Sequence, residues 1–136
     1  MEKQNYDFLK THFNSSETSN LRGLVSENSA IGYAAYVLDR IAPKKGSTML
    51  DVGCGDGLMM QALLMLRPDL HIDGIELSPK LTELAKINNP ESDILCGNIM
   101  KMDITNIPKK YDYCFSFSFL QYIPAKDIGY LQSRIQ

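Results

Sequence analysis

Met49-Leu50-Asp51-Val52-Gly53-Cys54-Gly55-Asp56-Gly57 joins a short apolar run, closed by an acid, to three alternate glycines. An apolar stretch, Leu58 to Leu66, follows at once. The order reads as a strand that runs into a tight turn and opens a helix. Glycine accepts positive φ and carries no Cβ, so the backbone of such a turn can approach a ligand at the helix start.

Working outward, the same alternation of strand and helix recurs. Before the loop, residues 28–42 place Ala30, Ile31, Ala34, Val37, Leu38 and Ile41 at helical spacing, with Pro43 as the stop and Lys44-Lys45-Gly46 as a turn. The strand is expected over Thr48–Val52 and the helix over Leu58–Leu66, apolar nearly all round and therefore deeply buried. After Pro68, Ile72–Glu76 is the second strand. Ser78-Pro79 starts a helix, with Ser as N-cap and Pro at the first helical position. Leu81, Leu84 and Ala85 form its inward face and Asn88-Asn89-Pro90 ends it. Ile94–Cys96 is a short third strand closed by Gly97, and 98–110 is an irregular connection. Tyr111–Phe119 alternates aromatic residues with Asp, Cys or Ser as a fourth strand and its exit, and Pro124 opens a last helix with Ile128, Leu131 and Ile135 on one side. Strands alternating with helices predict an α/β fold with a parallel sheet and right-handed crossovers.

Bulk properties narrow the function. The length suits one domain, divided into a polar arm over 1–27, anchored by Tyr6, Phe8, Leu9 and Phe13, and a folded unit over 28–136. A mean hydropathy of −0.18 is that of an ordinary soluble protein, and the longest apolar run is far too short to span a bilayer. The N-terminus lacks the apolar stretch of a secretory signal, which predicts a cytoplasmic protein. With a net charge of −2 there is no general basic field to attract nucleic acid. Cys54, Cys96 and Cys114 lack metal spacing and are read as small buried side chains in a reducing compartment. His12 and His71 stand far from any cysteine pair, so no metal site is expected.

A second acid, Glu76, ends the second strand, where an acid can accept both hydroxyls of a ribose. Asn98 follows the third strand and offers both a donor and an acceptor to an adenine edge. Spacing of G-x-G-x-G after Asp51, then Glu76, then Gly97-Asn98-Ile99, then Tyr111-Asp112-Tyr113 with Phe-Ser-Phe following, resembles the class I S-adenosylmethionine-dependent methyltransferases from about Thr48 to Pro124. The resemblance implies S-adenosyl-L-methionine as cofactor and a Rossmann-like, doubly wound, mostly parallel sheet. It implies that Asp51, Gly53, Cys54, Gly55 and Gly57 wrap the amino-acid end, and that Glu76 and Leu77 hold the ribose. Asn98 and Ile99 would flank the adenine, with Ser116 near the carboxyl end of the fourth strand and Phe117 and Leu120 near the sulfonium. Methyl transfer would go to a small-molecule acceptor by in-line displacement. No catalytic residue is assigned; Tyr122, Asp112 and Tyr33 are the candidates for a general base.

Other chemistries leave no trace. An NAD-binding turn would carry G-x-G-x-x-G, a phosphate loop Gly-Lys-Ser/Thr and a serine hydrolase Gly-x-Ser-x-Gly, and none occurs. Nucleic-acid amino-methyltransferases often carry Asn-Pro-Pro-aromatic where this chain has Ser-Phe-Ser-Phe. The family fold has seven strands and this chain supplies about four, in the expected order third-second-first-fourth. An incomplete chain is therefore expected, with the fourth strand as an apolar edge open to self-association. A cofactor-binding module completed by a partner is the alternative to an enzyme, and aminopropyl transfer from a decarboxylated cofactor is a further one.

Overall fold

The computed structural model describes residues 27–102 and 110–117. Among them are three helices, α1 (Glu27–Ile41), α2 (Leu58–Leu66) and α3 (Pro79–Asn88), and four strands, β1 (Thr48–Val52), β2 (His71–Glu76), β3 (Ile94–Cys96) and β4 (Tyr113–Phe115). The strands form one sheet in the order β3-β2-β1-β4, parallel at every pairing. Asp51 is in register with Gly74 on one side and Phe115 on the other, and Glu76 with Cys96. The strand order therefore reverses between β1 and β4, beside the glycine loop. The α/β fold and the order expected from the chain are both present.

Alternation along each strand splits the core between the two faces of the sheet. Met49, Ile72 and Ile94 join Ala30 and Ala34 of α1 and Met59, Met60, Ala62 and Leu63 of α2. Leu50, Val52 and Ile75 join Leu81 of α3, Ile99 and Met100 on the other face. Fully burying a side chain such as Leu63 contributes roughly 1.5–3 kcal/mol relative to exposure. Asp51 and Glu76 share the pleat parity of Met49 and Ile72, so one face carries both acids.

Several details differ from the expectations. The face of α1 is narrower: Ala30 and Ala34 are buried, whereas Ile31 is exposed. Small residues let α1 sit close against its neighbour, and Ile31, one step round the helix from Ala30, turns outward. α2 buries its first two turns, but Met65 and Leu66 are exposed at its end. Cys54 is buried as expected, while Cys96 and Cys114 are exposed, because both lie on the outer strands of the sheet. β4 begins later than Tyr111, because the hydroxyl of Tyr111 donates to Asp73 Oδ2 at 2.8 Å and Asp112 is bonded to Thr48. The arm, the last helix and Tyr122 lie outside the described residues, as do 118–119 of the fourth strand and 103–109 of the connection. No helix among the described residues is long and apolar enough to cross a membrane.

Candidate cofactor site

The loop leaves β1 with φ of 77°, 62° and 76° at Gly53, Gly55 and Gly57. Gly57 is the N-cap of α2, and a Cβ there would collide with the side-chain nitrogen of Asn89 and the backbone of Ala85. Both its left-handed backbone and its lack of room require glycine. The loop is pinned to β2, since the amides of Gly53 and Cys54 both donate to the carbonyl of Ile75, at 2.8 and 3.1 Å. The Cys54 side chain turns onto β2 beneath the loop: a Cβ on Gly74 would stand 2.7 Å from its Sγ. The Cys54 side chain is therefore part of the core. Asp56 Oδ1 accepts from the amide of Leu58 at 3.2 Å, satisfying one of the open donors of the first turn of α2.

Glu76 is 5% exposed and belongs to the loop as much as to β2. Its Oε1 accepts from the amide of Gly55 at 3.0 Å and its Oε2 from the amide of Ser78 at 2.8 Å. Ser78 is in turn the N-cap of α3, accepting from Leu81 at 3.2 Å. Asp51 is buried at the end of β1, between Gly74 and Phe115. Beyond β3, the amide of Gly97 donates to the carbonyl of Glu76 at 2.9 Å, which brings Asn98 to the same end of the sheet. Three backbone segments and two acids thus converge outside the carboxyl ends of parallel strands, at the reversal of strand order, where open α/β sheets bind their ligands.

A family described as a methyltransferase domain matches residues 49–135. The chain belongs to the class I S-adenosylmethionine-dependent methyltransferases. It is 36% identical over 80 residues to a malonyl-[acyl-carrier protein] O-methyltransferase of Ilyobacter polytropus, covering 59% of this chain and 30% of that protein. It is 32% identical over 92 residues to a ubiquinone biosynthesis O-methyltransferase of Xylella fastidiosa, covering 65% of this chain and 36% of that one. The chain thus spans about a third of the length of these relatives. Among solved structures, a magnesium protoporphyrin IX methyltransferase from Synechocystis with bound S-adenosylmethionine shares the fold at a TM-score of 0.74 and 15% identity, covering 96% of this chain and 70% of that one. An amino pentose methyltransferase from Micromonospora echinaspora does so at 0.69 and 24%, covering 89% and 50%.

Within this methyltransferase domain most of the expected site residues converge. Asp51, the glycine loop, Glu76 and Leu77, and Asn98 all follow or end strands on the same side of the sheet. Asn98 closes its own turn, with Oδ1 accepting from Met100 at 2.9 Å. Ile99 is buried against Leu50, Val52, Ile75, Leu81 and Met100, so it lies under the site as core. Ser116, one step beyond the β4 residue level with Asp51, has a buried Oγ with no hydrogen-bond partner among the described residues. Phe117 packs on Tyr33 of α1, ring centroids 5.1 Å apart. Leu120 lies outside the described residues. Asp112 is at the wrong end of the sheet for a base. Its Oδ2 accepts from the amide of Thr48 at 2.9 Å and from Thr48 Oγ1 at 3.2 Å, tying the start of β4 to the start of β1.

Sequence reasoning missed two residues at the end of α3 that hold the glycine loop. Asn88 Nδ2 donates to the carbonyl of Asp56 at 2.8 Å, and Asn89 Nδ2 to the carbonyl of Gly57 at 2.9 Å. The pair had the signature of a helix stop. That two amides stand there instead of a glycine was the available signal.

Proposed function

We propose that this chain binds S-adenosyl-L-methionine at the carboxyl ends of β1, β2, β3 and β4 and takes part in methyl transfer to a small-molecule acceptor. The observation that carries the reading is the turn of three positive-φ glycines bonded to the buried carboxylate of Glu76. The buried Oγ of Ser116, without a partner among the described residues, fits a polar ligand in the same crevice. Asp51, Gly53, Cys54, Gly55 and Gly57 hold the amino-acid end, the loop residues through backbone groups. Glu76 and Leu77 hold the ribose, Asn98 pairs with the adenine edge over Ile99, and Ser116 and Phe117 stand near the sulfonium. When bound, the cofactor supplies a methyl group already activated for in-line displacement. The protein's task is then to hold donor and acceptor in line and to keep water out. Tyr33, packed on Phe117, stands at the rim of the site in this reading.

Calorimetric titration of the chain with S-adenosylmethionine and S-adenosylhomocysteine, with NAD as control, tests the proposal. Saturable binding of the first two and not of NAD is expected, and Asp51→Ala and Glu76→Ala should each weaken it tenfold or more, about 1.4 kcal/mol per decade. A folded chain that binds neither ligand, or variants that bind as tightly as the wild type, would refute it. A second reading is a cofactor-binding module completed by a partner. Binding without methylation of any of a panel of small acceptors would select that reading; turnover would select the enzyme.

A further inference from the structure

α3 touches the glycine loop at both of its ends. At its start, the carboxylate that accepts from its N-cap amide, Ser78, also accepts from Gly55. At its end, Asn88 and Asn89 reach back across 32 positions of sequence to the carbonyls of Asp56 and Gly57. Asn89 is buried, and its Nδ2 also donates to the carbonyl of Ala85 at 3.1 Å. Two carbonyls facing one side-chain group define which end of that amide is the nitrogen, because only the nitrogen can donate. The same nitrogen occupies the space that a Cβ on Gly57 would need. Each of the loop residues 55, 56 and 57 is therefore held by a group from β2, from α3, or from the residue just after it.

We propose that Asn88 and Asn89 are positioning residues for the cofactor, fixing the Asp56–Gly57 and Gly57–Leu58 peptides so that the loop presents its backbone to the ligand in one orientation. Neither side chain needs to touch the ligand. Each donates to a carbonyl on the loop, and a carbonyl so held cannot rotate without breaking that bond. The first turn of α2 inherits the orientation, since the amide of Gln61 donates to the Gly57 carbonyl at 2.9 Å. The inference rests on the reading that the loop holds the amino-acid end of S-adenosylmethionine.

Two measurements on the 136-residue chain test it. The first compares S-adenosylhomocysteine, which has the amino-acid end, with adenosine, which lacks it, in wild type, Asn88→Ala and Asn89→Asp. Positioning predicts that the variants lose about fivefold to tenfold in affinity for S-adenosylhomocysteine, the size of one hydrogen bond. Affinity for adenosine should change by less than about twofold. Equal losses for both ligands, or none for either, would overturn the inference. Asn88 is half-buried, so Asn88→Ala carries the comparison if Asn89→Asp does not fold. The second measurement needs no ligand and so separates this inference from the cofactor reading. Amide exchange at Gly57 and Leu58 should quicken in Asn88→Ala while Ile72–Ile75 of β2 stay as in the wild type. Unchanged exchange in the loop would overturn the inference whatever the chain binds. Quickened exchange in a chain that binds no S-adenosylhomocysteine would sustain the clamp and refute the cofactor reading.

Discussion

Glu76 shows how one side chain can tie two segments together, holding the glycine loop and the start of α3 with one carboxylate. Its position at a strand end was legible, because it stands between a second short strand and the Ser78-Pro79 helix start. Its bonds to Gly55 and Ser78 were not, because they join segments that meet only in the folded chain. The same is true of Asp73, which is buried and accepts from the Asp93 amide at 2.9 Å and from the Tyr111 hydroxyl at 2.8 Å. Burial, with the hydrogen bond to Asp73, pushes the Tyr111 hydroxyl well above its usual value. A group whose folded value is raised stabilises the fold fully below its unfolded value and loses that contribution as pH rises. The wild type should therefore lose stability from about pH 10 upward in excess of Tyr111→Phe. Chemical denaturation of the two proteins at a series of alkaline pH values measures it. Parallel curves would show that the hydroxyl has no such role.

Helix and strand starts were the most legible elements. Ser78-Pro79 opens α3 as expected because a cap and a fixed φ act within a few residues of chain. The extent of β4 was less so. An alternating pattern predicts a strand wherever it runs, but among the described residues pairing with β1 is limited to Tyr113–Phe115 in register with Met49–Asp51. Just before it, Asp112 is bonded to Thr48, far from the glycine loop. Its acidic side chain suggested a base, and only the direction of the strand decides that it stands at the amino end. Asp112→Ala should cost about 1 kcal/mol of stability, in keeping with an exposed hydrogen bond. It should leave the affinity for S-adenosylhomocysteine within about twofold of the wild type. A larger loss of affinity in a stably folded variant would return Asp112 to the site.

The four strands have two differently built ends. At the amino ends, Arg67 pairs with Asp69 at 2.8 Å, Asp69 accepts from the amide of Gly46 at 3.0 Å, and Thr48 holds Asp112, so side chains stitch one connection to the next. At the carboxyl ends, backbone amides and carbonyls of the glycine loop meet Glu76, Asn88, Asn89 and Ile75. The overall plan was legible because it follows from alternating strands and helices, and the order of the strands came with the family resemblance. The close fit between the ends was not, because it depends on residues far apart in sequence reaching the same few ångströms. If the carboxyl end holds the cofactor, then a ligand present at about one hundred times its dissociation constant should add about 2.7 kcal/mol to the stability of the fold. Thermal unfolding with S-adenosylhomocysteine, against NAD at the same concentration, reads this as a rise in midpoint with the first alone. No rise at saturation would count against the site. One property of the loop reaches beyond binding. The partners named for it all lie between Asp51 and Asn89, so a chain growing from the ribosome has them all at hand once Asn89 has emerged. The turn can close during synthesis, before β3 and β4 have left the ribosome.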